Sequence, residues 1–146
     1  MTQCFCVKNI AISVLLLFGV AVNAFPDEIS GVWTYGPSLN HARFGNDVIA
    51  YNNKLYAIGG WEAGTSLEVF DSDSWQSLAD LPKTQEGLAA ALADGTIHTF
   101  GSYGNMPTHQ VYDIATDTWS TGPYMPEGDY WGTAESAADS IFYISD

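Results

Sequence analysis

Short apolar stretches of four or five residues, separated by turn residues, run from residue 32 to the end of the chain. Stretches of this length bounded by Gly, Asn, Asp and Ser predict β-strands. The first complete set is DVIAY (47–51), LYAIG (55–59), LEVF (67–70) and WQSLA (75–79). Their connections are short, and Asp94-Gly95 in the next set is a strong two-residue hairpin signal. Neighbouring strands are therefore predicted to pair as antiparallel hairpins.

The same order of strands and turns recurs every 42 to 44 residues. A tryptophan begins each period, and after five intervening residues comes Leu-Asn, Leu-Pro or Met-Pro. Twenty-five residues beyond each tryptophan an apolar strand ends, and small residues follow it. The positions that mark this register are Trp33, Gly59, Gly60, Asp71, Trp75, Gly101, Asp113 and Trp119. Four antiparallel strands per period is the plan of a β-propeller blade.

The sequence therefore predicts an all-β fold of about two and a half four-stranded blades, with blade repeats around 33–75, 75–119 and 119–146. The order of strand, Gly-Gly, aromatic-Asp pair, Trp and Leu-Pro or Met-Pro resembles the kelch repeat over nearly all of residues 32–146. The third repeat departs from that pattern, since Ser145-Asp146 stand where the glycines belong. The resemblance implies kelch-type propeller blades.

Closed propellers contain roughly four to eight blades, so two and a half do not close a ring. We expect the chain to be the N-terminal part of a longer protein. If it is the full-length protein, the alternative is that several copies assemble into a ring. A third hypothesis is that the fragment has no independent function because it does not fold alone.

Each repeat-marking residue has a predicted structural role. We interpret Trp33, Trp75 and Trp119 as large apolar fillers between blades rather than ligand-stacking residues. Asp71 and Asp113 are predicted turn formers whose carboxylates accept backbone N–H groups. The glycines are expected where the chain turns sharply against the neighbouring blade. Small residues in 88–93 and 133–138 suit the narrow space at a propeller axis.

Residues 1–24 are predicted to be a signal peptide, which leaves 25–146 as the kelch-like domain. Lys8 precedes an apolar run from Ile10 to Val22, and small residues close it at Ala24. The expected location is therefore secreted or periplasmic, with no membrane attachment after cleavage. Both cysteines, Cys4 and Cys6, lie in this segment, so the mature domain is expected to depend on its core rather than on disulfides.

The charge of the chain excludes one class of function. Four Lys and Arg face 17 Asp and Glu, a net charge of −13. Nucleic acids and anionic membranes are bound through clustered cations, so nucleic-acid binding is excluded.

A ligand-binding face is predicted where the strand 2–3 connections and the inter-blade connections emerge together. Exposed aromatics beside carboxylates and an arginine suit a protein or carbohydrate ligand. The candidate residues are His41, Arg43, Trp61, Glu62, Glu86, Tyr103, His109, Asp129, Tyr130 and Trp131.

The sequence leaves two functional hypotheses open. The first is a secreted, noncatalytic kelch-repeat module that binds its partner through this face. The alternative is the N-terminal part of a carbohydrate-active kelch enzyme, an epimerase resembling sialic acid mutarotases or an oxidase resembling galactose oxidase. No catalytic motif is identifiable, the histidines lack metal-ligand spacing, and no cofactor or metal is predicted. Enzymatic activity is therefore uncertain, and the sequence favours binding.

Overall fold

The computed structural model describes residues 5–8 and 32–145, and all regular structure in these ranges is β-strand. The predicted signal peptide lies outside the described residues except at 5–8, as does Asp146. The strands are β1 (Phe5–Lys8), β2 (Val32–Tyr35), β3 (Asp47–Tyr51), β4 (Lys54–Ile58), β5 (Leu67–Asp71), β6 (Ser74–Ser77), β7 (Ala89–Ala93), β8 (Thr96–Phe100), β9 (His109–Asp113), β10 (Thr118–Thr121), β11 (Thr133–Ala137) and β12 (Ser140–Ile144).

Two four-stranded sheets with the same topology follow each other along the chain. β3 to β6 pair in sequence order as one antiparallel sheet, and β7 to β10 form the next. β11 and β12 form a third, two-stranded sheet, and β1 pairs with β2. The predicted fold class, all-β with two complete blades and the first two strands of a third, is confirmed. We call the sheets β3–β6, β7–β10 and β11–β12 blades one, two and three.

The first hairpin of each complete blade closes through left-handed residues. Asn52 and Asn53 have φ of 49° and 61°, and Asp94 and Gly95 have 48° and 76°. Two successive positive φ values match the right-handed twist of antiparallel strands, and Asn, Asp and Gly adopt them at low cost. These turns set the register in which Tyr51 faces Lys54 and Ala93 faces Thr96.

The core lies between the blades rather than within a single sheet. Blades one and two share a buried apolar cluster of Tyr56, Ile58, Leu67, Val69, Leu81, Leu88, Ala90, Ile97 and Tyr112. A smaller cluster joins blade two to blade three through Ala89, Ala91, Phe100 and Ala134. The first strand of blade two, β7, contacts the first strands of its neighbours, β3 and β11. Ala89 to Ala91 are buried there, whereas only Ala134 is buried in β11.

The glycines after the second strands lie against the next blade. Gly59 and Gly101 have φ of +56° and +70°. A Cβ on Gly59 would lie 2.6 Å from the Gln85 carbonyl oxygen, and one on Gly101 would lie 2.5 Å from that of Asp129. The next residues, Gly60 and Ser102, donate their N–H groups to these same two oxygens, at 2.9 and 3.0 Å. Glycine is needed because both the left-handed turn and the close approach exclude a side chain.

The recurring tryptophans and aspartates have distinct contacts. The Trp119 indole N–H donates to the Ala79 carbonyl (2.8 Å), and that of Trp75 to the Pro37 carbonyl (3.1 Å). Each indole therefore connects the last strand of its blade to the segment before that blade. The side chain of Trp33 lies outside the described part.

The two aspartates differ from each other. Asp113 accepts the N–H groups of Ala115 and Thr116, as a turn former does. Asp71 instead forms an ion pair with Lys54 (2.8 Å) and accepts the Ser72 hydroxyl. The expectation of backbone N–H partners is therefore wrong for Asp71. The described residues include no helix long and apolar enough to cross a membrane.

Candidate functional site

Five connections emerge at one end of the blades and form what we call the loop face. They are the connections β2–β3, β4–β5, β6–β7, β8–β9 and β10–β11. Because strands alternate in direction, the second-to-third turns and the inter-blade connections share an end. Backbone hydrogen bonds tie them together: Trp61 N–H donates to Phe44 O (2.9 Å), and Tyr103 N–H donates to Glu86 O (2.7 Å).

An equivalent residue in each inter-blade connection continues this bonding from blade to blade. Gly87 N–H donates to Gly45 O at 2.9 Å, and Trp131 N–H donates to Gly87 O at 2.7 Å. All three residues are left-handed, with φ of +63°, +66° and +63°. The same backbone position is therefore glycine in blades one and two and tryptophan in blade three.

Five aromatic side chains gather around this position, and we call them the aromatic cluster: Phe44, Trp61, Tyr103, Tyr130 and Trp131. Trp61 is central. Its ring stacks on Phe44 (centroids 5.3 Å apart, planes 3° apart) and on Trp131 (5.9 Å, 19°). Tyr103 meets Trp61 edge-on at 5.1 Å and Tyr130 at 5.5 Å. The cluster thus joins all three blades.

The cluster presents open aromatic surface. Phe44, Tyr103 and Trp131 are 56%, 58% and 58% exposed. The Trp131 ring lies over the bare backbone of Gly45 and Gly87, where a Cβ would approach it to 2.7 and 3.2 Å. The left-handed backbone of a bulky residue is costly, and such conformations concentrate at functional sites. The Trp131 ring therefore packs on the backbone of Gly45 and Gly87 and on Trp61, while more than half of its surface stays exposed.

Three acidic residues stand close to these aromatic residues in the loop-face connections. Glu86 occupies in blade two the position that Phe44 and Tyr130 occupy in blades one and three, directly before the left-handed residue. Glu62 directly follows Trp61 and is exposed. Asp129 is engaged by the protein: its carboxylate accepts Tyr130 N–H and the Tyr143 hydroxyl. The hydrogen bond from Tyr130 N–H is the largest influence and lowers the pKa of Asp129. The bond from the Tyr143 hydroxyl lowers it further.

Arg43 does not reach the loop face, so its assignment as a ligand-binding residue is wrong. Its side chain is fully buried inside blade one. The guanidinium donates to the carbonyls of Ala57, Gly59 and Ser66 and forms an ion pair with Glu68. The side chain is accommodated inside the blade because these carbonyls, at the end of β4 and directly before β5, accept hydrogen bonds from the buried guanidinium.

Glu68 is the buried partner of Arg43. It also accepts the N–H groups of Asn40 (2.7 Å) and His41 (3.1 Å). Burial is the largest single influence on its pKa and raises it, but the bonds from Asn40, His41 and Arg43 together outweigh burial. The pKa of Glu68 is therefore lowered from its ordinary value.

Blade two replaces this ion pair by two amides. Gln85 and Gln110 stand 42 residues after Arg43 and Glu68. Gln85 Nε2 donates to the Gly101 carbonyl (2.8 Å), as Arg43 does to Gly59, and its Oε1 accepts from Gln110 (2.7 Å). Sequence reasoning missed both pairs, although their common 42-residue spacing is a visible signal.

Neither predicted site histidine joins the aromatic cluster. His41 lies in the β2–β3 connection, with Nδ1 3.3 Å from Glu68. His109 stacks on Phe100 (4.6 Å) and contacts His98 (2.9 Å), both in β8 of blade two. His109 is the first residue of β9, and its Nδ1 lies 3.0 Å from the Pro123 carbonyl oxygen of the β10–β11 connection, so its place on the binding face stays a prediction.

A cavity of about 630 Å³ lies beside His98 and His109. Phe100 and Ile141 supply apolar lining from blades two and three, and Asp94 and Asp139 add carboxylates to the lining. Burial, followed by the neighbouring His109, lowers the pKa of His98. Within residues 5–8 and 32–145, no three His, Cys, Asp or Glu side chains gather in a way that could hold a metal ion.

Blades of four antiparallel strands packed face to face, with a loop face built from equivalent connections, define a β-propeller protein. One solved structure, "Structure of YjhT", superimposes with a TM-score of 0.68 over 74% of this chain and 35% of that chain, at 19% sequence identity. This likeness establishes the fold. No protein-family model matches the sequence.

Sequence relatives identify the family. Kelch-like protein 38 of Rattus norvegicus is 32% identical over 127 residues, which cover 73% of this chain and 22% of that protein. Kelch-like protein terF of Aspergillus terreus is 27% identical over 124 residues, covering 67% of this chain and 26% of terF. The chain belongs to the kelch-repeat family. It spans about a fifth to a quarter of the length of these relatives.

Proposed function

We propose that this chain is a binding module that takes up a protein partner on its loop face through the aromatic cluster. One observation carries the proposal: five aromatic side chains from three blades form one continuous group, and three of them are more than half exposed. Contiguous exposed apolar surface of this kind marks interaction sites.

The residue types and their rigidity support this assignment. Tryptophan and tyrosine are the residues that most often dominate the binding energy of protein interfaces. The Trp61 and Trp131 backbones are fixed by hydrogen bonds to Phe44 and Gly87. A prearranged surface loses little conformational entropy when a partner binds.

Selection of peptides on the full chain tests the proposal, because a random library samples many partner surfaces at once. The selected peptides are then tested against two variants. Trp131→Gly removes the exposed ring and restores the residue of blades one and two. Phe142→Ser is the matched control, because Phe142 is 55% exposed in β12, outside the loop face.

We expect selected peptides to bind the unmodified chain and Phe142→Ser equally and to lose most of their affinity for Trp131→Gly. Failure to select any peptide, or selection of peptides that bind all three proteins equally, would overturn the proposal.

A carbohydrate ligand, as in a carbohydrate-active kelch enzyme, is the alternative. Aromatic faces beside the carboxylates of Glu62 and Glu86 also suit the apolar faces and hydroxyls of sugars. The test of the epimerase form follows the α to β interconversion of N-acetylneuraminic acid by NMR, with the full chain and with buffer alone. Acceleration by the chain would replace the binding-module proposal; equal rates would remove this alternative.

We also propose that the domain acts outside the cytoplasm after removal of residues 1–24. The support is the order of Lys8, an apolar run and small residues ending at Ala24. Cleavage would remove β1 and expose the edge of β2. The mass of the protein recovered from the extracellular or periplasmic fraction tests this: a chain beginning at Phe25 is expected, and a chain retaining Met1 would contradict the proposal.

A further inference from the structure

We propose that the aromatic cluster binds a cationic side chain, a lysine or arginine carried by a protein partner, with Glu86 as its counter-charge. This inference deepens the proposed function and rests on it: the proposed function names the surface, and this inference names the chemistry of the group that the surface receives.

The position of Glu86 is the first argument. In blades one and three the equivalent residues are Phe44 and Tyr130, both members of the aromatic cluster. Glu86 therefore places a carboxylate where the repeat would otherwise place another ring. Its backbone is fixed there by the bond from Tyr103 N–H (2.7 Å). A carboxylate in the register of two cluster rings, on a backbone bonded to the residue that carries a third, suits a cation, because carboxylates and ring faces both attract positive charge.

The charge of the loop face is the second argument. Its five connections contain five acidic residues and two basic ones, and one of the basic residues, Arg43, is buried against Glu68. The acidic residues are Glu62, Asp80, Glu86, Glu127 and Asp129. Lys83 is left as the exposed cation of this face. An anionic partner would meet unfavourable charge here, whereas a cationic partner would be attracted over several ångströms.

Lys83 supplies the third argument, an example of the same contact within the chain. Its ammonium lies 5.7 Å from the centre of the Tyr124 ring and 3.4 Å from the Tyr124 hydroxyl. Both residues belong to inter-blade connections of the loop face. The aromatic cluster offers the exposed indole of Trp131, a larger ring that binds cations better than a phenol ring does.

Fluorescence titration of the full chain tests the inference, because a ligand on the cluster changes the emission of Trp61 and Trp131. Three probes are compared: hexa-arginine, hexa-glutamate and the neutral sugar cellohexaose. We expect saturable quenching with hexa-arginine, weaker quenching at high salt, and no saturable change with the other two.

Two variants and one matched control locate the binding. Glu86→Gln removes the charge at constant shape and is expected to weaken hexa-arginine binding about threefold. Trp131→Gly removes an indole face and is expected to weaken it about fivefold. Asp94→Asn removes the same charge as Glu86→Gln from an exposed turn at the opposite end of blade two, and is expected to leave the affinity unchanged.

The outcomes separate this inference from the proposed function. Equal weakening by Asp94→Asn and Glu86→Gln would show that arginine follows the overall negative charge, and would overturn the inference. Saturable binding of cellohexaose in place of hexa-arginine would also overturn it. If the peptide selection yields Trp131-dependent peptides without lysine or arginine, the inference fails while the proposed function stands; if it yields no such peptides, the proposed function fails.

Discussion

Trp131 occupies the left-handed position that Gly87 occupies one blade earlier, and it donates its N–H to the Gly87 carbonyl at 2.7 Å. The backbone conformation at this position is therefore the same in all three blades, whereas the side chain differs in the third. In two blades this position has the residue that the backbone geometry favours, and in the third it has one of the largest side chains available.

Substitution of Trp131 by glycine and by alanine should have different effects on stability. Glycine relieves the backbone cost of φ +63° and offsets the lost ring contacts, so the free energy of unfolding should change by less than about 1 kcal/mol. Alanine loses the ring and keeps the unfavourable backbone, so it should be less stable than glycine by about 1 kcal/mol. Urea unfolding measures both; an alanine variant as stable as the glycine variant would contradict this account of position 131.

Gly59 should tolerate a methyl group much less well than Gly64. Both residues are left-handed, with φ of +56° and +60°, so alanine has the same backbone cost at each. A Cβ at Gly64 meets nothing within 4 Å, whereas one at Gly59 lies 2.6 Å from the Gln85 carbonyl. Gly59→Ala should therefore lose about 1 to 3 kcal/mol more than Gly64→Ala in thermal or urea unfolding. Equal losses in the free energy of unfolding would show that the contact between blades one and two accommodates a methyl group without destabilising the fold.

The Arg43–Glu68 pair should be replaceable by the amides of blade two. Arg43→Gln or Glu68→Gln alone leaves one buried charge without its partner, which should cost about 3 to 5 kcal/mol. The double variant reproduces Gln85 and Gln110 and should recover more than half of that loss. A double-mutant cycle in urea measures the coupling. Strictly additive losses would show that the two charges act independently.

Acid should destabilise the domain through Glu68. Its folded-state pKa is lowered, so the unfolded chain binds the proton more readily. The contribution of Glu68 is therefore complete above its ordinary pKa of 4.5 and is lost as the pH falls through the lowered value. In the Arg43→Gln/Glu68→Gln double variant the free energy of unfolding should fall less steeply below pH 4.5. The same slope in the double variant and in the unmodified chain would contradict the assignment.

The repeat accounts for most of what the sequence could predict. The 42- to 44-residue period indicated the strands, the glycine turns and the shared end at which Trp61, Tyr103, Tyr130 and Trp131 meet. Antiparallel strand order determines which connections emerge together, so the prediction did not depend on side-chain packing.

Side-chain direction within a connection is what the sequence alone did not specify. Arg43 lies two residues from Gly45, yet its side chain points into blade one, where the guanidinium donates to the carbonyls of Gly59 and Ser66 and pairs with the carboxylate of Glu68. Phe44 was overlooked as a member of the aromatic cluster, although it stands in the register of Tyr130. In both cases the useful signal was the comparison of equivalent positions between blades, rather than residue type.

The single indole at position 131 also has a consequence for the orientation of a bound partner. Three identical blades would offer a partner three equivalent binding sites. The partner could bind at each of them in the same way, rotated from one blade to the next. Gly45 and Gly87 provide no side chain at the equivalent positions in blades one and two. The Trp131 ring packs on the backbone of both glycines. The loop face therefore has one indole at this position, and we expect the proposed partner to bind it in one orientation.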